Sequence, residues 1–401
     1  MKLQIERKYL LLGLQQVFGV VEKRSTMPIL SHILISAYGA DTENGKEAGV
    51  SIFATDLEIS IQDCYPAHVI TPGQLTCPAK KLLEIVRELP EGMVKIELQE
   101  NYWISIEAGN AYFKIAGLPH DDFPALSFVG GEGDTKVSIA PDSFSRLIRK
   151  TAFATGENDQ RYILNGLLIE MHKVAEAKHM IRLVATDGQR LALAEEAVKS
   201  HQGASMEERA IVPKKAILEI KRLLDETPVK QGIVNSSEGI VTSNMPLKEA
   251  EITFGKNLLT LQYGTARLSS RLLNGNYPNY NQVIPKENNK NVSANKEALL
   301  GALARVSILS DEKTFRVQTT VKAGQIEFRA KNSIIGEASE SVATSFEGEP
   351  FTAFFSARSL RELLLVIDDD EIVLEFKEAE TACLVREKSG RFLSIFMPLR
   401  D

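Results

Sequence analysis

The chain has 401 residues, with 47 Lys+Arg against 53 Asp+Glu, a net charge of −6, and 44% hydrophobic and 25% charged residues. These proportions exclude a disordered chain, a collagen-like fibre and a coiled-coil rod, and the length suggests two to four domains. No run approaches the roughly 20 consecutive apolar residues of a membrane-spanning helix, and the three scattered cysteines, Cys64, Cys77 and Cys383, suit a reducing compartment rather than a disulfide scaffold or a cysteine-built zinc site.

Met1–Lys8 is interrupted by Glu6 and basic residues and holds no signal-like apolar core. Arg7–Phe18 is amphipathic. An apolar stretch, Pro28–Ile35, is followed by a polar insertion, Gly39–Glu47, read as a long surface loop. Pro78–Leu89 is basic and helix-like. Val94–Leu98 and Ile104–Glu107 alternate as half-buried strands do, with a turn at Glu107-Ala108-Gly109-Asn110. The Gly-rich run Gly130–Asp134 reads as a linker. A helix over 142–151, the apolar stretch Tyr162–Ile169, a hairpin turn at Ala185-Thr186-Asp187-Gly188 and a basic helix over 213–224 follow. Asn276–Lys290 reads as a second linker. The rest holds helices over 295–307 and 356–367 and turns at Lys322-Ala323-Gly324-Gln325 and Lys388-Ser389-Gly390-Arg391.

These segments repeat. Pro78–Leu89 returns as Pro213–Leu224 at an offset of 135, and more weakly as Ser356–Leu364 a further 143 residues on. Pro28–Ile35 matches Tyr162–Ile169 at 134, and Ala54-Thr55-Asp56 matches Ala185-Thr186-Asp187 at 131. Several matches in one order at nearly one offset imply three copies of one α+β domain of about 130 residues. Its order is strand, helix, several strands, helix, several strands. The copies are placed at 1–130, 135–275 and 280–401.

Charge is segregated by element type. The six helix segments sum to +10, so the remainder carries −16. One helix of this kind is an ordinary solvated face, but six of one sign in an acidic chain suggest a basic surface on an acidic body, the footprint of nucleic-acid binding. No zinc-finger, basic-zipper or RNP pattern is present, so phosphate contact without sequence preference is expected.

Catalytic signatures are missing. There is no phosphate-binding Gly-rich loop, no dinucleotide fingerprint, no nucleophile elbow, and no His-x-x-x-His pair among the six histidines. His120-Asp121-Asp122 and Asp368-Asp369-Asp370-Glu371 could hold Mg²⁺, but aspartate is also a favoured turn residue and both runs lie in turn-like contexts. No catalytic residue, metal or cofactor is expected.

Thr26-Met27-Pro28-Ile29-Leu30, Gly117-Leu118-Pro119 with Asp122-Phe123-Pro124, Arg161–Gly166, Val184–Leu191, Tyr277-Pro278-Asn279-Tyr280 and Met397-Pro398-Leu399-Arg400 stand in the order and spacing of a known family. Over essentially its full length the chain resembles the bacterial DNA polymerase III beta subunits, the replicative sliding clamps. The resemblance implies the DNA clamp fold: a head-to-tail homodimeric ring of six domains, helices around the hole and antiparallel sheets outside. It implies a non-catalytic processivity factor that encircles duplex DNA in the bacterial cytoplasm, associated with the nucleoid during replication. The implied partners are double-stranded DNA, a second copy, the DNA polymerase III alpha subunit, the clamp loader complex and other clamp-binding-motif replication and repair proteins, with no membrane.

By that resemblance the DNA-facing candidates are Arg24, Lys80, Lys81, Arg146, Arg149, Lys150, Lys214, Lys215, Lys221 and Arg222. The implied partner-peptide pocket is walled by Leu164, Thr186, Gly188, Gln189, Arg190, Leu191, Pro278, Gln282, Val283, Ile395, Met397, Pro398, Leu399 and Arg400. The implied dimer contact uses Phe113, Ile308 and Leu309. Gln189 stands where many family members have histidine, Gln282 where some have arginine, and Asp401 where an apolar residue is common. Two other readings stay open. A clamp-like scaffold for DNA repair proteins would share the ring. A DNA-processing hydrolase would need a clustered catalytic constellation.

Overall fold

The computed structural model describes residues 1–22, 26–40, 48–125, 128, 134–175, 178–202, 207–226, 233–236, 239–242 and 249–399. Arg24, Arg400, Asp401, most of the Gly39–Glu47 insertion and most of the Gly130–Asp134 linker lie outside the described residues. The chain forms two compact units. One comprises 1–145, 198–206 and 215–272, the other 146–197, 207–214 and 273–401.

All six expected helices form: α1 (Arg7–Phe18), α2 (Ala79–Glu88), α3 (Pro141–Thr151), α4 (Lys214–Glu226), α5 (Lys296–Val306) and α6 (Ala357–Val366). Their buried positions recur at helical spacing and align the copies. Leu10, Gly13, Leu14 and Val17 of α1 match Leu299, Ala302, Leu303 and Val306 of α5. The expected 213–224 segment differs at its end. The helix continues through Asp225 and Glu226, which lowers α4 from +3 to +1 and the six helices to +8. The apolar period stops at Leu224, so those two exposed carboxylates add helix without adding burial.

In the first unit, a five-stranded antiparallel sheet runs His68–Thr71, Lys2–Glu6, Met93–Leu98, Trp103–Ala108, Ala111–Ala116. A nine-stranded antiparallel sheet runs Ser200–Gln202, Thr135–Ile139, Ala250–Phe254, Leu258–Tyr263, Ala266–Arg271, Ile59–Pro66, Gly49–Thr55, His32–Tyr38, Gly73–Pro78. Helix α1 lies close on this sheet: a Cβ at Gly13 would come 2.5 Å from Ile52 Cδ1 and 2.7 Å from the Tyr65 ring. Asp63, fully buried beneath, accepts from the Tyr65 hydroxyl at 2.5 Å, the Thr265 hydroxyl at 2.7 Å and the Cys64 N–H at 2.9 Å. A buried carboxylate needs such donors.

The second unit has an eight-stranded antiparallel sheet, in the order Glu208–Pro213, Gly166–Ala175, Lys178–Thr186, Arg190–Ala197, Phe392–Phe396, Cys383–Arg386, Glu371–Phe376, Lys290–Asn295. Its four-stranded sheet runs Gly336–Ala343, Gln325–Asn332, Arg316–Lys322, Phe351–Ser356. The expected turns at Gly109, Gly188, Gly324 and Gly390 all close with the glycine at positive φ, the conformation that L side chains resist.

Consecutive copies are therefore joined through their sheets. Ile59–Pro66 of the first copy pairs with Ala266–Arg271 of the second, and Arg190–Ala197 of the second pairs with Phe392–Phe396 of the third. One turn precedes each joining strand. The Asp56 carboxylate accepts from the N–H groups of Glu58 and Ile59 (3.0 and 2.7 Å), and that of Asp187 from Gln189 and Arg190 (2.9 Å each). The third copy repeats the turn, with the Asn332 side chain accepting from Ile334 and Ile335 at 3.0 and 3.2 Å. The strand that follows, Gly336–Ala343, has only one strand neighbour among the described residues.

Candidate functional sites

The basic candidates fall into three groups. Lys80, Lys81 and Lys215 are the most exposed, with side-chain exposures of 77%, 67% and 52%. Each also meets a carboxylate: Glu84 for Lys80 and Lys81, Asp56 for Lys215. Arg146, Arg149, Lys214, Lys221 and Arg222 are partly covered and paired. Their partners are Glu196 (3.0 Å), Asp368 (2.7 Å), Glu157 (2.7 Å), Asp225, and Glu219 with Glu226 (2.8 Å each). The Lys214 side chain, by donating to Glu157, holds that carboxyl below its ordinary value.

Lys150 departs from the expectation. It is 6% exposed and lies 2.5 and 2.6 Å from the Glu387 oxygens, 2.7 Å from Asp368 and 5.5 Å from the Phe392 ring centroid. An ammonium enclosed in this way is a structural ion pair with no free face for phosphate. The acidic run at 368–370 is used here too. Asp368 pairs with Arg149 and Lys150, and Asp369 accepts the Lys388 N–H at 2.8 Å.

The pocket residues gather around one end of the eight-stranded sheet. Leu191 and Ile395 stand opposite each other across the joining ladder. With Leu168, Val184, Leu193, Ile211 and Leu384 they form an apolar layer, and Tyr277 and Tyr280 pack into it. The second linker is thus fastened rather than free. Tyr277 and Tyr280 are buried, the Tyr277 hydroxyl donates to Val184 O at 3.3 Å, and that of Tyr280 to Glu170 at 2.5 Å. Burial, then the Glu170 carboxylate, push the Tyr280 hydroxyl above its ordinary value.

Leu164, Leu191 and Ile395, expected as accessible wall, are buried, at 1%, 3% and 3% exposure. Among the pocket candidates the exposed apolar side chains are Val283 (56%) and Met397 (47%); Pro278, Gln189 and Gln282 are exposed, and Pro398 and Leu399 are half-buried. Main-chain bonds hold two of these positions: Met397 N–H to Gln189 O at 2.8 Å and Leu399 N–H to Phe354 O at 2.7 Å. Thr186 receives the Gly188 N–H at 3.0 Å and donates to Arg190 O at 2.7 Å, shaping the turn.

Arg190 is immobilised by Asp187 at 2.9 Å, by Glu362 of α6, and over the Phe153 ring at 5.5 Å. Arg161 spans the turn by donating to Asp187 O at 3.0 Å while its side chain grips Asp159, whose carboxyl that interaction lowers to about 2. The sequence reading missed Asp159, Glu362 and Phe153. Arg161 stood in a motif without a role, and the other three carry no local signal.

The strand that holds Phe113, Ala111–Ala116, is one of the two edge strands of the five-stranded sheet among the described residues. Phe113 and Leu309 are half-buried, and Ile308 is 76% exposed.

Family models match the chain from end to end. The N-terminal domain of the DNA polymerase III beta subunit matches residues 1–127, the central domain 138–279 and the C-terminal domain 281–400. The chain belongs to the DNA polymerase III beta subunit family. The beta sliding clamp of Caulobacter vibrioides is 35% identical over 404 residues and that of Pseudomonas putida 32% over 406, each covering 100% of both chains. The crystal structure of the DNA polymerase III subunit beta from Pseudomonas aeruginosa superposes with a TM-score of 0.86 at 31% identity over 100% of both chains. A Pseudomonas aeruginosa sliding clamp bound to griselimycin gives 0.84 at 31% identity, again over 100% of both chains. The family is one of processivity clamps rather than catalysts. The DNA clamp fold of the beta subunits accounts for three helix pairs on antiparallel sheets.

Proposed function

We propose that two copies of this chain close head to tail into a ring around duplex DNA. The ring slides without sequence preference and tethers the DNA polymerase III alpha subunit and other replication and repair proteins. A clamp loader complex opens it, and it works in the bacterial cytoplasm at the nucleoid. The observation that carries the reading is the unfinished repeat: two copy-to-copy junctions of one kind inside the chain, and both halves of a third left as sheet edges.

The register of the third junction follows from the other two. Thr55 stands opposite Ser60, Thr186 opposite Leu191 and Lys331 opposite Glu337, so Glu337 occupies the step of Ser60 and Leu191. The hairpins closed by Tyr263 with Ala266 and by Ala108 with Ala111 align Leu268 with Phe113. Repeating the in-chain pairing sets Phe113 of one copy opposite Ala338 of the other, and Lys114 opposite Glu337. Opposite charges face each other there. Ile308 aligns with Gly19, which lies against Glu219 of the next copy at the first in-chain junction. An exposed isoleucine there fits burial by a second copy.

The paired lysines and arginines suit sliding. A cation already satisfied by a carboxylate gains little at any one phosphate, which flattens the energy along the duplex. The peptide cleft supplies an adaptable apolar anchor in Val283 and Met397. Lys150 is left out of the DNA contacts.

Retention on circular against linearised plasmid, after loading with clamp loader and ATP at moderate salt, tests the reading. Retention on the circle with loss from the linear form is expected. Equal, salt-sensitive retention on both would mean ordinary electrostatic binding.

A further inference from the structure

At both in-chain junctions a cation reaches the C-terminal turn of a helix in the neighbouring copy. In the first unit, Arg222 of α4 donates to Gln15 O at 3.2 Å and to Gln16 O on α1, while Glu219 and Glu226 hold its guanidinium. In the second unit, Arg149 of α3 donates to Val366 O at 3.1 Å at the end of α6. Last-turn carbonyls carry partial negative charge and spare lone pairs, so a guanidinium is favourable there. The direction is reversed between the two junctions, so the residues themselves must decide the third.

On the α5 side, Ala304 aligns with Gln15 and Arg149, and Arg305 with Gln16 and Lys150. Arg305 is committed to Glu340 of its own copy at 2.8 and 2.5 Å. On the α2 side, Glu84-Ile85-Val86-Arg87 aligns with Glu219-Ile220-Lys221-Arg222. The two carboxylates equivalent to the holders of Arg222 are engaged elsewhere: Glu84 by Lys80 and Lys81, Glu91 by Arg7. Arg87 is exposed, and its guanidinium makes no hydrogen bond or ion pair among the described residues. In the single chain it lies along a groove with Leu12, Gln15 and Leu83.

We propose that Arg87 is the latch of the copy-to-copy junction, donating to the carbonyls of Ala304 and Arg305 on α5 of a second copy as Arg222 donates to Gln15 and Gln16. The inference rests on the head-to-tail reading above. Ala304 O already accepts the Ser307 hydroxyl at 3.0 Å, which leaves a second lone pair for the guanidinium.

Sedimentation equilibrium on the full-length protein without DNA tests this and keeps phosphate contacts out of the readout. A charge-assisted hydrogen-bonded group contributes about tenfold in an equilibrium constant. A closed ring has two identical junctions, so Arg87→Ala is expected to raise the dimer dissociation constant about a hundredfold. Arg87→Gln gives a similar rise, Arg87→Lys a smaller one, and Arg361→Ala, an exposed cation on α6, none. A normal circular dichroism spectrum for each variant excludes misfolding. If Arg87→Ala and Arg87→Gln leave the constant unchanged while Phe113→Asp raises it, the latch is wrong and the junction stands. If Phe113→Asp also changes nothing, the junction itself is wrong.

Discussion

Glu387→Ala separates a structural Lys150 from a DNA-contacting one. Lys150 is 6% and Glu387 7% exposed, and Glu387 also accepts the Asp368 N–H at 3.0 Å. Removing the carboxylate strands a buried ammonium. Breaking one side of a buried pair costs ~3–5 kcal/mol. Asp368 remains at 2.7 Å with its side chain 52% exposed, which places the cost at the low end, about 3 kcal/mol. In a unit of this size each kcal/mol moves the melting temperature by roughly 2–4 °C, so a fall of about 6–12 °C is expected in one calorimetric transition. Because the chain has two units, only the transition that shifts should be assigned to the second. Lys150→Met with Glu387→Leu removes both charges and keeps the bulk, and should recover to within about 1 kcal/mol. That double variant should also stay on circular plasmid like the parent. Unchanged melting for Glu387→Ala, together with loss of retention in the double variant, would refute the structural assignment.

Other expectations follow from the same geometry. Met397→Ala should weaken binding of a fluorescent clamp-binding peptide about tenfold in polarisation assays and leave the dimer intact, because an exposed apolar anchor carries much of such an affinity. Leu191→Ala should weaken it too, but with a loss of about 2–4 kcal/mol in stability, because it opens a cavity in the buried apolar layer; unchanged peptide affinity in both variants would remove the cleft from consideration. Ile308→Asp with Leu309→Asp should give monomers by light scattering. Replacing Lys80, Lys81 and Lys215 with alanine should lower the salt dependence of DNA binding by about 1 in log–log slope for each phosphate no longer neutralised, alike on all sequences. Burial raises the Asp368 carboxyl, but the side-chain bonds from Lys150 and Arg149 outweigh it and hold the carboxyl below its ordinary value. Its contribution is therefore full above the unfolded carboxylate range and is lost as pH falls through the lowered folded value. In Arg149→Ala the acid-unfolding midpoint should move to higher pH.

The helices were legible because burial at Leu10, Leu14 and Val17 imposes a local period that recurs in α5. The turns were legible because Gly109, Gly188, Gly324 and Gly390 take a backbone conformation that few other residues tolerate. The fate of Lys150 was not, since Glu387 lies 237 residues away and no local pattern links them. The same holds for two of the cleft candidates. Leu191 and Ile395 read as a peptide wall until their strands pair and Tyr277 and Tyr280 close over the layer they help form. Distance in sequence, rather than weakness of the interaction, hid these features.

A ladder of peptide groups reads no side chains. Leu268 and Ser394 stand at one step, opposite Ile61 and Ala192, with nothing chemical in common. Three copies of one domain can therefore differ almost freely in side chains without losing the way they join. The cost of that freedom is fidelity, since a bare strand edge cannot tell a sister chain from a stranger. Discrimination falls to the few side chains that flank the ladder. Those are the positions at which two clamps sharing one cell would have to diverge to avoid mixed rings.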